Sequence, residues 1–539
     1  MAIRPVVCPP ACATVSGASC SSHSRVNHNS GGSMKKSSIA LGVAALMAGA
    51  AQAGIVQGSA STIAVNPNGI GHKLVIPYFT TQGNNATLIN IVNTDRTNGK
   101  AVKVRFRGAA NSDDLYDFQV LLSPGDVWTA ALTQGADGRT QLTTSDNSCT
   151  RPASVNGSFL TGRLDPNSTR SLEEQTREGY VEIINMADIN STSALFTAIK
   201  HGSNGKPGNC NAAAVTALDD DNLGQASATA SYTALGLSFP STGLTADWII
   251  INQATTAAWS GSATAFEARG GTPAAATTAN IVYFPQSGSG VSTTTAGLYS
   301  SDPLFINGDV QAAYYDFPDL STPYINSVTA AGVYRNTLAS TIARSSVINE
   351  FVTSDAIAAQ TDLVFSQPLR RYYAAVTYGA TAGVVRVNSV GAVVSTGEVY
   401  TSNNTALINR VLCVRRPTDS QLLAFAAFDR EEQTLTPSGA VISPGTPTQF
   451  NICGEVAVTS INAGDNTQPS ALSATLARNN IELPFADGWI RFNTTLDPVD
   501  QVGTAPNVVT GLPIIGNAHL RAANGAVNYG FTWPHKYNN

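Results

Sequence analysis

Between Lys100 and Arg107 the chain alternates strictly, with Val102, Val104 and Phe106 interleaved with Lys103, Arg105 and Arg107. A strand turns successive side chains to opposite faces, so this period of two predicts one face in a core and one in water. The neighbouring segments repeat the theme. Lys73–Phe79 (KLVIPYF), Ala86–Asn93 (ATLINIVN), Leu115–Leu122 and Val127–Leu132 are short apolar runs. Turn residues separate them at Thr80–Asn85, Asp95–Gly99 and the Pro-Gly turn Ser123–Asp126. Strands at this spacing predict a mainly β chain built from immunoglobulin-like β-sandwich modules. Only 12% of residues are charged, against roughly 25% in an average soluble protein. Small polar residues take their place, which suits strands better than long solvated helices.

Helix is expected in two places. Ser171 and Glu174 form a capping box, Glu173 and Arg177 an i,i+4 pair, and Gly179 is a stop signal before the strand Tyr180–Met186. The longer helical segment is expected over about 330–360, broken near Ser354-Asp355. Residues 54–260 read as an N-terminal β-sandwich-like domain and 261–300 as a Gly/Ser/Thr-rich loop or linker. Residues 301–539 read as a C-terminal mixed β domain carrying the helical segment.

The N-terminal region carries an export signal. Met34-Lys35-Lys36 is a short basic start, Ile39–Ala50 is apolar, and Ala51-Gln52-Ala53 is the A-x-A pattern that signal peptidase accepts. The apolar run is shorter than the ~20 residues a spanning helix needs, so a Sec signal peptide over 34–53 is expected, with no integral span after cleavage. Residues 1–33 do not fit an export leader and are expected to be an extension upstream of the true start at Met34. Of the 31 Lys and Arg residues, four (Arg4, Arg25, Lys35, Lys36) precede Gly54, and none of the 36 acidic residues does, so the mature chain carries a net charge of −9. That balance argues against nucleic acid as a partner, which requires a basic face.

The same processing leaves four of seven cysteines: Cys149, Cys210, Cys413 and Cys453. An even count in an exported chain implies two disulfides with three possible connectivities. Sequential pairing closes the shorter loops and is the expected one. The cysteines lack C-x-x-C spacing, so a structural metal is not expected.

Signatures of catalysis are missing from the sequence. There is no G-x-S-x-G, H-E-x-x-H or Walker motif, and the mature histidines 72, 201, 519 and 535 are isolated. No catalytic residue and no cofactor is assigned. Asp219-Asp220-Asp221-Asn222 offers oxygen ligands for calcium but lacks the spacing and glycine of an EF-hand, so a solvated turn is the preferred reading. Asp429-Arg430-Glu431-Glu432 contains a carboxylate pair, but neighbouring residues on a strand face opposite ways, which favours a self-neutralised surface turn. Tyr314, Tyr315 and Phe317, with Tyr324, form the densest aromatic stretch. Such a cluster serves either as a stacking platform for glycans or a protein, or as a loop packed across a sheet end. Arg370-Arg371 and Arg415-Arg416 read as charges guarding strand ends from edge pairing.

Several phrases together carry a family likeness: IPYF at Ile76–Phe79 with Ala86–Asp95, KVRFRG at Lys103–Gly108, and EGYVEIINM at Glu178–Met186. Phe317–Tyr324, Ala343–Phe351, Phe428–Thr434, Gly488–Phe492 and Gly511–Gly516 extend it over most of the mature chain. The chain resembles a group of exported Gram-negative proteins labelled "cell surface protein". The resemblance lends no active site, and it departs at Leu363, where the group has Trp. The expectation is therefore a non-enzymatic protein of the cell surface, extracellular medium or periplasm, with a structural, adhesive or matrix role. Its partners would be itself, envelope components or glycans. The rival expectation is a secreted carbohydrate-binding or carbohydrate-active protein.

Overall fold

The computed structural model describes residues 55–220, 223, 229–286, 305–306, 309–310, 318–325, 331–378, 383–386, 398–416, 420–434, 451–463, 470–476, 478–503 and 508–538. The leader over 34–53, the extension over 1–33, Asp221, Tyr314, Tyr315 and Phe317 lie outside the described residues. The chain is mainly β, in antiparallel sheets packed face to face. The N-terminal strands are β1 (Lys73–Thr80), β2 (Asn85–Asn93), β3 (Gly99–Gly108), β4 (Asp114–Leu122), β5 (Val127–Gln134) and β6 (Thr140–Thr143). They continue as β7 (Glu178–Ile189), β8 (Leu244–Asn252), β9 (Ala258–Ser262) and β10 (Thr264–Gly270).

A nine-stranded sheet has β10, β1, β7, β3 and β4 at its centre, and a six-stranded sheet runs from the short edge strand Gly157–Ser158 through β6, β5, β2, β8 and β9. Their facing sides pack through Trp128 and Trp248, which are almost fully buried. The Phe118 and Trp128 rings lie 5.3 Å apart, and Phe159 stacks on Tyr116 at 5.4 Å. Gly179 does not stop a helix; it lies inside β7. A Cβ there would meet the Arg107 carbonyl oxygen at 1.8 Å, so glycine is what lets β7 lie against β3 at this point. The capping box does form, with Ser171 Oγ accepting from the Glu174 amide ahead of the short helix Leu172–Gln175.

The C-terminal strands are β11 (Ser346–Val352), β12 (Gln360–Ser366), β13 (Phe425–Phe428), β14 (Val456–Ile461) and β15 (Asp487–Asn493). They are followed by β16 (Ile515–Asn524), β17 (Val527–Pro534) and β18 (Lys536–Asn538). One sheet runs β13, β15, β11, β18; the other runs β14, β12, β16, β17, with Arg478–Ile481 added parallel to β14. Phe365 and Phe492 meet between them at 5.2 Å, and Leu363 is fully buried.

Two expected boundaries change. The helix covers Ala331–Ile342 only, and the second half of the expected helical segment is β11. Val347, Ile348, Phe351 and Val352 suit a strand, and β15 supplies seven cross-strand partners from Asn493 to Asp487. The linker expected over 261–300 also fails at its start. Thr264–Gly270 pairs with β1 and Thr62–Val65, and Phe266 and Ala268 are buried. Apolar alternation within a Gly/Ser/Thr-rich stretch was enough to build a strand.

The two halves share one continuous hydrophobic core. Trp259 Nε1 donates to the Leu520 carbonyl at 2.9 Å, the Trp248 and His519 rings approach to 5.7 Å, and Asn85 donates to the Leu472 carbonyl at 2.7 Å. Disulfides join Cys149 to Cys210 and Cys413 to Cys453, across 61 and 40 residues. Loops of this size contribute about 4 kcal/mol each on a chain-entropy account. The segment around Cys210 is not merely looped. The short helices Ala194–Ile199, Ala213–Thr216 and Thr229–Thr233 bury Leu195, Ile199, Val215 and Tyr232 in a satellite core against Cys149.

Candidate functional site

The charged face of β3 does not meet water. Lys103, Arg105 and Arg107 are buried, as are Lys73 on β1 and Tyr180 and Glu182 on β7. Alternation set the period correctly, but the second face is covered by residues 318–325, by the helix Ala331–Ile342 and by the turn Arg370–Tyr372. The result is a buried ionic and tyrosine layer on the side of the nine-stranded sheet opposite its partner sheet.

Its centre is a relay. Arg107 donates to the Tyr372 hydroxyl at 2.8 Å, and that hydroxyl donates to Glu182 at 2.6 Å. Arg107 Nε lies 3.4 Å from Glu182 Oε2, and Nη2 lies 3.8 Å from Asp319. Arg105 donates to the Pro318 carbonyl at 3.0 Å. Lys73 donates to the Tyr334 hydroxyl at 2.9 Å and the Asp319 carbonyl at 3.4 Å, with the Tyr324 ring 4.5 Å from its ammonium. Burial brings the Lys73 amine down to about 7 against the opposing pull of Asp319 and Glu182. Burial likewise pushes Glu455 up to about 7, although Arg370 lies 3.6 Å away and favours its charge. An amine titrating near neutrality has the chemistry of a nucleophile or base. Here its hydrogen bonds and its aromatic neighbours come from the chain itself, and the contacts tie Asp319, Tyr324 and Tyr334 to β1.

This geometry decides between the alternatives left open for several residues and corrects the reading of Arg370-Arg371. Tyr324 is not a stacking platform: it is fully buried, and its hydroxyl donates to the Asn185 carbonyl. Its flat ring is used beneath Lys73. Arg370 and Arg371 do not guard an edge; they are buried and paired with Glu455 and Asp113. Asp219 is held by Arg151, whose Nε donates to it at 2.9 Å, which leaves that carboxylate engaged by a cation rather than facing one in solution. Among the described residues no group of three His, Cys, Asp or Glu is placed to hold a metal ion. Asp429–Glu432 is an exposed turn in which the Asp429 carboxylate accepts from the Glu431 and Gln433 amides at 2.9 and 2.7 Å.

Two buried histidines are fixed as neutral rings. His72 Nδ1 accepts from the Ala268 amide at 3.1 Å while Nε2 faces the Thr277 carbonyl at 2.9 Å, and burial brings its pKa down to about 3. His535 is held in the same way between Asn349 and the Val364 carbonyl, and burial lowers it to about 4.

The exposed aromatic residues gather elsewhere. On the outer face of β15, Trp489 is 37% exposed and stacks on Phe428 with ring centroids 4.3 Å apart. On β17, Val527, Tyr529 and Phe531 are 51%, 47% and 49% exposed and share one face of the strand. These residues escaped the sequence reading. The signal was present in VNYGFTW, a period of two with no charged residue between Arg521 and His535. Searches against protein-family models, curated proteins and solved structures return no match to the chain.

Proposed function

We propose that the chain is exported and acts at the cell surface or outside the cell in a structural, adhesive or matrix role. The observation that carries this reading is the joint pattern of a leader ending at Ala53 and four remaining cysteines that close two disulfides. Disulfides of this kind persist in oxidising compartments. Two further features support it. Among the described residues no helix is long and apolar enough to cross a membrane. Among the described residues the exposed aromatic side chains Trp489, Tyr529 and Phe531 lie on β15 and β17, as on surfaces that engage a partner. Fractionation with surface protease shaving tests the reading. Peptides of this chain released from intact cells, or found in the medium, are expected; a cytoplasmic chain with four free thiols would overturn it.

A second reading, a secreted carbohydrate-binding protein, is favoured by the Phe428–Trp489 stack. Its neighbours on the same sheet face are Glu350, Arg491 and Lys536. An aromatic surface beside charged hydrogen-bonding groups suits a sugar, whose ring has apolar C–H faces and polar edges. A glycan array with the wild type and Trp489→Ala separates the two readings. Specific binding lost in the variant favours this one.

A further inference from the structure

β17 is the terminal strand of its sheet, and its four sides differ. Along one edge it pairs with β16, from Asn524↔Val527 to Asn517↔Pro534. Its polar face rests on β9: a Cβ on Gly530 would meet the Ala258 carbonyl oxygen at 2.0 Å, so glycine is what lets the two backbones cross. Its apolar face carries Val527, Tyr529 and Phe531, each about half exposed. Along its other edge no partner strand is present among the described residues. An edge strand normally carries lysines, inward charges or a bulge to prevent pairing with another chain. Residues 522–534 contain no charged side chain, and proline comes only at the last position of the strand.

We infer that β17 is a self-association strand, which pairs antiparallel with β17 of a second copy across a two-fold axis at Tyr529. The occupant follows from the symmetry of the feature. A strand with an open ladder edge, an apolar row and no charge is complementary to an antiparallel copy of itself, which is the isologous condition. Around that axis Tyr529 faces Tyr529 of the second copy, and Val527 faces its Phe531. Like charges, which would make self-pairing unfavourable, are absent from the row. Two five-stranded sheets would then join into one, and the row exposed in each copy would be covered in part by the other. This inference deepens the adhesive or matrix reading by naming one partner, and it rests on that reading only for its biological use.

Sedimentation velocity on the oxidised chain tests it, with Tyr529→Lys and Tyr529→Glu as variants and near-UV circular dichroism to show that each retains its fold. The wild type is expected to form a concentration-dependent dimer. Each variant alone is expected to stay monomeric, because a two-fold axis sets like charges against each other. An equimolar mixture of the two variants is expected to restore the dimer. A wild type that is monomeric at high micromolar concentration, variants that dimerise as it does, open-ended oligomers, or a mixture that stays monomeric would each overturn the inference. Because the measurement uses purified protein, its failure leaves the export reading to be judged by fractionation alone.

Discussion

Two strands of this molecule carry the same kind of signal and resolve it in opposite ways. In β3 the charged positions Lys103, Arg105 and Arg107 alternate with apolar ones, yet both faces are buried. In β17 the large apolar positions Val527, Tyr529 and Phe531 alternate with small polar ones, yet the apolar face is open and the polar face is packed on β9. Period identifies a strand in both cases. It does not decide which face meets solvent, because that depends on segments far away in sequence. β3 is covered from Asp319, 212 residues after Arg107, and from Tyr372. The comparison teaches that a polar face is compatible with burial once its charges are partnered, and an apolar face with exposure where none of the described residues covers it.

The sharpest way to break this contrast is to unpair the β3 layer. Glu182→Ala removes the acceptor of the Tyr372 hydroxyl and the carboxylate 3.4 Å from Arg107 Nε, while Asp319 stands 3.8 Å from the buried guanidinium. A loss of about 3–5 kcal/mol is expected, read from urea unfolding. The double variant Arg107→Met with Glu182→Leu should recover most of it, since it removes both charges. A single variant that unfolds like the wild type would mean that the layer is hydrated after all.

Lys73 gives a smaller effect with a defined sign. Its folded amine titrates near 7 and its unfolded one at 10.5, so between these values the unfolded chain holds the extra proton. Stability should therefore rise with pH across that window, by up to ~1.4 kcal/mol per pH unit from this group alone. Below 7 both states are protonated and the contribution is flat. Lys73→Met should remove that rise. Measurements are best kept below pH 10, because burial raises the phenols of Tyr324, Tyr334 and Tyr372, which begin to oppose the trend there.

The smallest effect on stability belongs to β17. Phe531→Lys, at a position 49% exposed, should change the unfolding free energy by no more than about 0.5 kcal/mol. A cost of several kcal/mol would show that the row is packed rather than open.

Much of the fold was legible because its signals are local. Lys73–Phe79, Ala86–Asn93, the turn Ser123–Asp126 with Gly125 at φ +74°, and the Ser171 capping box all depend on residues within a few positions of one another. The longer helix was overextended because Ser346–Val352 is held as a strand by β15, over a hundred residues downstream. The candidate site was less legible for the same reason. Tyr324, Arg370 and Arg371 look like surface residues until Lys73, Glu455 and Asp113 are brought to them.

The six lysines that follow Gly54 test the central claim most directly. Lys200, Lys206 and Lys536 are exposed, whereas Lys73, Lys100 and Lys103 are buried, the last two in ion pairs. Amine-reactive labelling of the native chain, read peptide by peptide, should modify the first three and spare the second three until denaturant is added. Labelling of Lys73 and Lys103 at the rate of Lys536 in the folded protein would contradict the buried layer.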